Sequence, residues 1–171
     1  MTMDLQDLER FELDARKAKL VQILERQADD PARLQEIATH DSHRAERRPE
    51  ALAVLESFFR DLDAQAFASF MEKWCRKPGY DGFRGPSGQM FLNQLLKAGE
   101  PGEAALLLSR TLQVPVDDHD AVAKINEVLE FVHRVKSGAH PAPGRVSFFL
   151  SFFWGLQEPD RWPMMWSSAK D

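Results

Sequence analysis

The sequence contains a single cysteine, Cys75, among its 171 residues. One thiol excludes an internal disulfide framework, and it is typical of a protein from a reducing compartment. Tyrosine is equally scarce, because one tyrosine stands against 12 phenylalanines. This ratio indicates an apolar core more than a sugar-binding or antibody-like surface. The composition therefore excludes the class of small secreted proteins that disulfides hold together.

The sequence also lacks a signal peptide and a membrane-spanning run. Its longest apolar stretch, residues 146–156, is far shorter than the roughly 18–20 residues that a transmembrane helix needs. The first residues, MTMDLQDLERFELD, are acidic and amphipathic, with no basic n-region and no apolar h-region. We expect no membrane partner and a cytoplasmic location.

A basic excess is absent as well, because the formal net charge is −5. A module that held nucleic acid mainly through phosphate contacts would be basic overall. Any nucleic-acid role must therefore rest on a local patch, or belong to a larger protein. Hydrophobic content of 43% and charged content of 29% are those of a globular protein, and the length fits one helical domain over residues 1–171.

Helical periodicity runs through almost every apolar segment, whereas no strand-like alternation of useful length appears. The clearest pattern has Ile125, Val128, Leu129, Val132 and Val135 on one face. We predict an all-α fold of about eight helices. They lie near residues 4–28, 31–38, 50–60, 64–76, 86–98, 101–112, 118–137 and 145–156.

A polar stretch, THDSHRAERRPE, separates the second and third predicted helices and contains Pro49. We interpret it as a loop. Its arginines Arg44, Arg47 and Arg48 are then either a solvated connector or a modest phosphate-binding patch, because Asp41, Glu46 and Glu50 offset their charge.

The glycine-rich segment KPGYDGFRGPSG predicts a loop of about a dozen residues, or a small irregular hairpin near 78–86. Backbone N–H groups of Gly85, Ser87 and Gly88 at a helix N-terminus, with Arg84 adjacent, would hold an anion. The competing interpretation is a loop that only needs positive φ angles. A nucleotide-hydrolysing P-loop is excluded here, because no lysine follows Gly88.

Metal-binding and catalytic patterns are weak. His40 and His43 are three residues apart and His119 lies within DDHD, but no HExxH motif or pair of cysteine ligands accompanies them. Cys75 is either inert packing or a thiol whose pKa its neighbours Arg76 and Lys77 lower. We predict no metal, no cofactor and no catalytic residue in this chain.

The apolar helix RVSFFLSFFWGL is expected to be a core element, or one that another domain covers. It continues into QEPDRWPMMWSSAKD. This order resembles the helix–PERW/PERF–aromatic–Ser segment in the N-terminal regions of McrB-like AAA+ proteins of modification-dependent restriction systems. The resemblance covers residues 145–171, with GFRGPSGQMFLNQL as a further similar stretch.

The resemblance implies that the chain is the N-terminal, non-catalytic recognition module of a multidomain defence NTPase. In that family the N-terminal part recognises target DNA, a following motor hydrolyses nucleotide and a partner nuclease cuts. The chain has no Walker motif, and we expect residues 157–171 to form a junction to a following domain. Candidate DNA contacts are Lys77, Arg84 and Arg145.

A helical protein-interaction or assembly domain is the alternative interpretation. Exposed aromatic and methionine side chains favour protein contacts. The candidate interface residues are Trp154, Trp162, Met164, Met165 and Trp166. A stand-alone small enzyme ranks last.

Overall fold

The computed structural model describes residues 21–22, 30–100 and 102–165, apart from the side chains of residues 81 and 82. The chain divides into two units, residues 1–42 and 43–171. Six α-helices lie in the described part: α1 Pro31–Asp61, α2 Ala64–Trp74, α3 Gln89–Leu96, α4 Glu103–Thr111, α5 Asp118–Val135 and α6 Val146–Gln157. Short 3₁₀ helices cover Asp81–Arg84 and Pro143–Arg145. The all-α prediction is confirmed.

In the first unit, residues 21 and 22 are helical and the start of α1 follows. The carboxylate of Asp30 accepts hydrogen bonds from the N–H groups of Ala32 and Arg33, at 3.0 and 3.2 Å. An aspartate in this position satisfies donors that have no partner within the helix. The predicted start at Asp30 and Pro31 is therefore confirmed. The rest of the predicted helix 4–28 lies outside the described residues.

The loop predicted over residues 39–49 is wrong, because α1 runs through it without a break. Pro49 costs the helix one backbone hydrogen bond. The preceding residue anchors the helix: Arg48 donates from Nε to the carbonyl of Leu156 at 2.7 Å and from Nη2 to the carbonyl of Gln157 at 2.6 Å. The second and third predicted helices are thus one helix, which lowers the expected count of eight.

The hairpin proposed near 78–86 is also wrong, since the described residues there form a 3₁₀ helix and turns. Two hydrogen bonds attach this segment to α1. Arg44 donates from Nε to the carbonyl of Gly79 at 3.0 Å, and the hydroxyl of Tyr80 donates to the carbonyl of Arg44 at 3.2 Å. Gly79 has a φ of +94°, and an added Cβ would lie 3.2 Å from the Arg44 nitrogen. The segment is therefore held by side chains rather than by strand pairing.

Helix α6 lies at the centre of the second unit, and nine of its residues are buried. Rings from four other parts of the chain meet it. Phe83 packs on Phe152 with ring centroids 4.2 Å apart, and Phe91 meets Phe149 edge-on at 5.2 Å. Further large side chains complete the core: Leu55, Phe58, Phe67, Met71, Trp74, Leu92, Leu95, Leu108, Val128 and Val132. The expected role of α6 as a core element is confirmed.

Two local signals coincide with helix boundaries in the structure. Asp117 caps α5, because its carboxylate accepts from the Asp120 N–H at 2.8 Å. Gly99 takes a φ of +74° beyond α3, a conformation that favours glycine after a helix. None of the helices in the described ranges is long and apolar enough to cross a membrane.

We expect Phe152→Ala to lower the free energy of unfolding by about 3–5 kcal/mol, because the ring is 2% exposed and its removal leaves a cavity. Urea denaturation followed by circular dichroism measures the change. Val116→Ala, at a side chain that is exposed, is the control and should alter stability by less than about 0.5 kcal/mol. A loss below roughly 1 kcal/mol in Phe152→Ala would contradict the central position of α6.

Candidate functional site

The 3₁₀ helix Asp81–Arg84 is positioned by one buried ring. Phe83 is buried and its ring lies against Phe149, Phe152 and Phe153, with centroids 6.3, 4.2 and 5.4 Å away. Arg84, the next residue, is exposed. Burial of Phe83 therefore fixes where the Arg84 backbone lies, while the guanidinium extends from the surface.

The turn that follows brings glycine into close contact with this helix. A Cβ on Gly88 would lie 2.1 Å from the carbonyl oxygen of Phe83, so only glycine fits there. The Gly88 N–H donates to the carbonyl of Gly85 at 3.1 Å. It is therefore already engaged, although the anion-site interpretation needed it as a free donor. Helix α3 also begins at Gln89, later than Pro86 and Ser87.

Arg145 joins this turn from a distant part of the sequence. Its Nη1 donates to the carbonyl of Pro86 at 3.0 Å. The structure thus brings Arg84, Gly85, Ser87, Gly88 and Arg145 together, and we call these five residues the basic patch. Of the residues predicted from sequence to bind nucleic acid, only Lys77 lies outside it.

Lys77 has a carboxylate partner. Its Nζ lies 3.2 Å from Oε2 of Glu50 on α1. Neighbouring Arg76 likewise pairs with Glu72 at 2.8 Å. Because both cations are already compensated, they add less positive potential to the surface than their number indicates. Arg84 has no carboxylate within ion-pair distance among the side chains that the structure describes.

The sequence analysis did not predict that arginines on α1 bind backbone carbonyls. Arg44 and Arg48 are half-buried and bind backbone carbonyls in the second unit. They are four residues apart, and this spacing places both on one face of a helix. That spacing was the available signal, but Pro49 and the polar neighbours favoured a loop. Neither arginine is free to serve as the solvated connector that was predicted.

Cys75 is buried, and desolvation raises the pKa of its thiol. The nearby charges of Arg84 and Arg76 act in the opposite direction but with smaller effect. The thiol donates to the carbonyl of Glu72 at 3.5 Å and has little contact with solvent. Among the described residues, no group of three or more His, Cys, Asp or Glu side chains could hold a metal ion.

The described part of the C-terminal segment, residues 158–165, folds back over α6. Trp154 is buried and its Nε1 donates to the carbonyl of Thr111 at 2.9 Å. Trp162 is half-buried and meets the Trp154 ring edge-on at 5.6 Å. The N–H of Met165 donates to the hydroxyl of Ser151 at 3.0 Å. The described part of this segment therefore packs against α6.

Among the predicted interface residues that the structure describes, Met165 has the highest exposed fraction, at 44%. Met164 is half-buried against the core, and Trp154 offers almost no surface to a partner. Trp166 lies outside the described residues. The Trp162 indole N–H is buried and has no acceptor among the described residues.

No protein-family model, curated protein or solved structure matches this chain.

We expect Gly155→Ala to release the tail from α6, because an added Cβ would lie 2.6 Å from the carbonyl oxygen of Trp162. Acrylamide quenching of tryptophan fluorescence should increase, and the increase should be smaller in a Trp162→Phe background. Gly144→Ala, where an added Cβ meets nothing within 4 Å, is the matched control. Unchanged quenching in Gly155→Ala would mean that the tail does not depend on this close approach.

We expect Cys75 to resist Ellman's reagent at pH 8 while the protein is folded, since burial both shields the thiol and raises its pKa. Unfolding in guanidinium should release one reactive thiol per chain. Rapid stoichiometric reaction of the native protein would contradict this assignment and restore the activated-thiol alternative.

Proposed function

We propose that this chain is a non-catalytic recognition module that contacts the phosphate backbone of DNA through the basic patch. The observation that carries the proposal is the hydrogen bond from Arg145 to the carbonyl of Pro86. It joins the residue before α6 to the turn before α3, the same turn that Arg84 precedes in the sequence. Two arginines held near one turn form the kind of local positive surface that phosphate contacts require.

The groups in the patch have the chemistry for this task. Arg145 uses one N–H on Pro86 and keeps others for a phosphate, because a guanidinium carries five donors. Arg84 is exposed, so its binding to a phosphate displaces no described ion pair. Phosphate contacts of this kind fix position and carry no sequence information. The patch therefore accounts for affinity, not for the choice of a target sequence.

The distribution of charge favours the proposal more than the total does. Residues 1–42 hold 10 acidic and 6 basic side chains, whereas residues 43–171 hold 17 acidic and 16 basic ones. The acidic excess thus belongs mainly to the first unit. The unit that contains the patch is close to neutral. A small basic surface within it can act locally, because salt largely screens charges that lie more than roughly 10 Å away.

The resemblance of residues 145–171 to McrB-like N-terminal regions is the second support for a DNA-directed role. Under this proposal the module belongs to a multidomain defence NTPase of the cytoplasm, and nucleotide hydrolysis and cutting belong to other domains or partners. Residues 157–171 then form the junction to the motor.

Fluorescence anisotropy with a labelled DNA duplex tests the proposal. At low salt, we expect the double variant Arg84→Gln/Arg145→Gln to bind about tenfold more weakly than the wild type, because two phosphate contacts are lost. The slope of log K against log salt should fall by about 1.8, at roughly 0.9 for each contact. Arg84→Gln alone, which leaves the Pro86 contact intact, should produce about half of that change.

Arg60→Gln is the control, because Arg60 is an exposed arginine at the far end of α1 that pairs with Asp61. It should leave the salt slope unchanged. An equal loss in the control would indicate that binding follows overall charge alone. An absence of binding by the wild type at low salt would exclude the DNA proposal.

Protein docking through the C-terminal segment is the second candidate, and the exposed side chain of Met165 favours it. Trp162, three residues earlier in the chain, has a ring that is only partly covered, with the Arg161 guanidinium 5.5 Å from its centroid. Methionine and tryptophan together are common at the centre of protein interfaces. A Met165→Ser variant that binds DNA normally but loses association with a following domain would favour this candidate.

A further inference from the structure

A surface groove of about 510 Å³ lies between α4 and α5, away from the residues of the basic patch. Eight residues line it, four from each helix. On α4 they are Glu103, Leu106, Leu107 and Arg110, and on α5 they are Glu127, Glu130, Phe131 and Arg134. Both sets have the helical spacing i, i+3, i+4 and i+7. The two walls therefore repeat one pattern, with a glutamate at the first position, an apolar residue at the third and an arginine at the last.

The two walls run in opposite directions. Glu103 at the start of α4 binds Arg134 at the end of α5, with Nη1 of Arg134 3.2 Å from Oε2 of Glu103. Arg110 at the end of α4 binds Glu127, with Nε of Arg110 3.1 Å from Oε1 of Glu127. The four corners of the groove thus alternate in sign, both along each helix and across from one helix to the other.

The centre of the groove is apolar. Leu107 and Phe131 are buried beneath it, while Leu106 is 50% exposed although it lies midway between the charged corners. The Arg134 guanidinium covers one edge of the Phe131 ring, 5.2 Å from its centroid. Water therefore reaches a leucine that is surrounded by alternating charges.

We propose that this groove is a self-association surface whose occupant is the same groove of a second copy of the chain. A two-fold axis makes one patch meet itself, so the patch must be complementary to its own rotated image. The alternating corners meet this condition. With the axis across the two helices, Glu103 meets Arg110 of the second copy, Glu127 meets Arg134 of the second copy, and Leu106 meets its own equivalent.

Charge complementarity selects a second copy over an unrelated partner. Any other occupant would have to carry the same alternation of two acidic and two basic groups around an apolar centre, and this chain already presents it. The intrachain pairs leave more than half of the Arg110 and Arg134 side chains exposed, and such exposed pairs stabilise a monomer little. In the dimer each guanidinium gains a second carboxylate in a drier environment.

Glu130 is the exception, because it lies opposite Leu106 in the pattern and meets no basic group after the rotation. Eight residues are also fewer than the roughly 20–30 per side of a standard interface. We therefore expect a weak dimer, with a dissociation constant on the order of 10–100 μM.

Sedimentation equilibrium of the full chain tests the surface. Leu106→Glu should weaken the dimer at least tenfold, and Glu130→Gln should tighten it. Val122→Glu is the matched control, because Val122 is 55% exposed on α5 but lies outside the groove. Circular dichroism checks that each variant is folded. A wild type that is monomeric up to 1 mM overturns the proposal, and so does equal weakening by Val122→Glu.

A charge exchange separates association through this groove from association elsewhere. The variant Glu103→Arg/Arg110→Glu/Glu127→Arg/Arg134→Glu keeps both intrachain pairs but reverses every corner. It should form dimers with itself as the wild type does, whereas the mixed dimer should be at least tenfold weaker, because like charges then meet. Analytical ultracentrifugation of a fluorescently labelled wild type mixed with unlabelled variant measures this. Mixed dimers of equal strength would place the interface elsewhere.

Discussion

The burial of α6 is the constraint on which the remainder of the second unit depends. Its phenylalanines leave almost no polar face, so the helix is stable only when other elements surround it. Phe83, Phe91 and Phe67 reach its rings from three separate segments. One of these contacts also sets the candidate site, because the ring that anchors the glycine-rich turn lies directly before Arg84. A core interaction and a surface feature are thus coupled through two consecutive residues.

Local signals in the sequence predicted the elements that are built from local interactions. The apolar spacing of α5 and its cap at Asp117 are visible within a few residues, and the structure agrees with both. The stretch around Pro49 led to a wrong loop prediction, because proline and charged neighbours usually end a helix. Arg44 and Arg48 on this part of α1 donate hydrogen bonds to carbonyls more than thirty residues away. No local sequence pattern indicates such bonds.

The candidate site shows the same division. Arg84 and the glycines that follow it stand out in the sequence, but the contact of Arg145 with Pro86 spans 59 residues and could not be read from spacing. The pairing of Lys77 with Glu50 was equally hidden, and it removes much of the positive charge that the sequence assigned to this region. The alternating charges of α4 and α5 were within reach, because the glutamate and arginine of each helix are seven residues apart. The pairing of these charges between the two helices can be recognised only when the antiparallel packing is known.

The two hydrogen bonds from Arg48 to the end of α6 have a consequence for the order in which the chain can become complete. The last carbonyls of a helix have no partner within it. Here the Arg48 guanidinium supplies the donors, and Arg48 precedes the two acceptors by 108 and 109 residues. A cation at this end also opposes the partial negative charge of the helix dipole. During synthesis, Arg48 on α1 can therefore form these hydrogen bonds only after α6 has been made. Closure over such a sequence distance is slow compared with the formation of local contacts. A fragment that retains both of these hydrogen bonds must therefore contain residues 48–157.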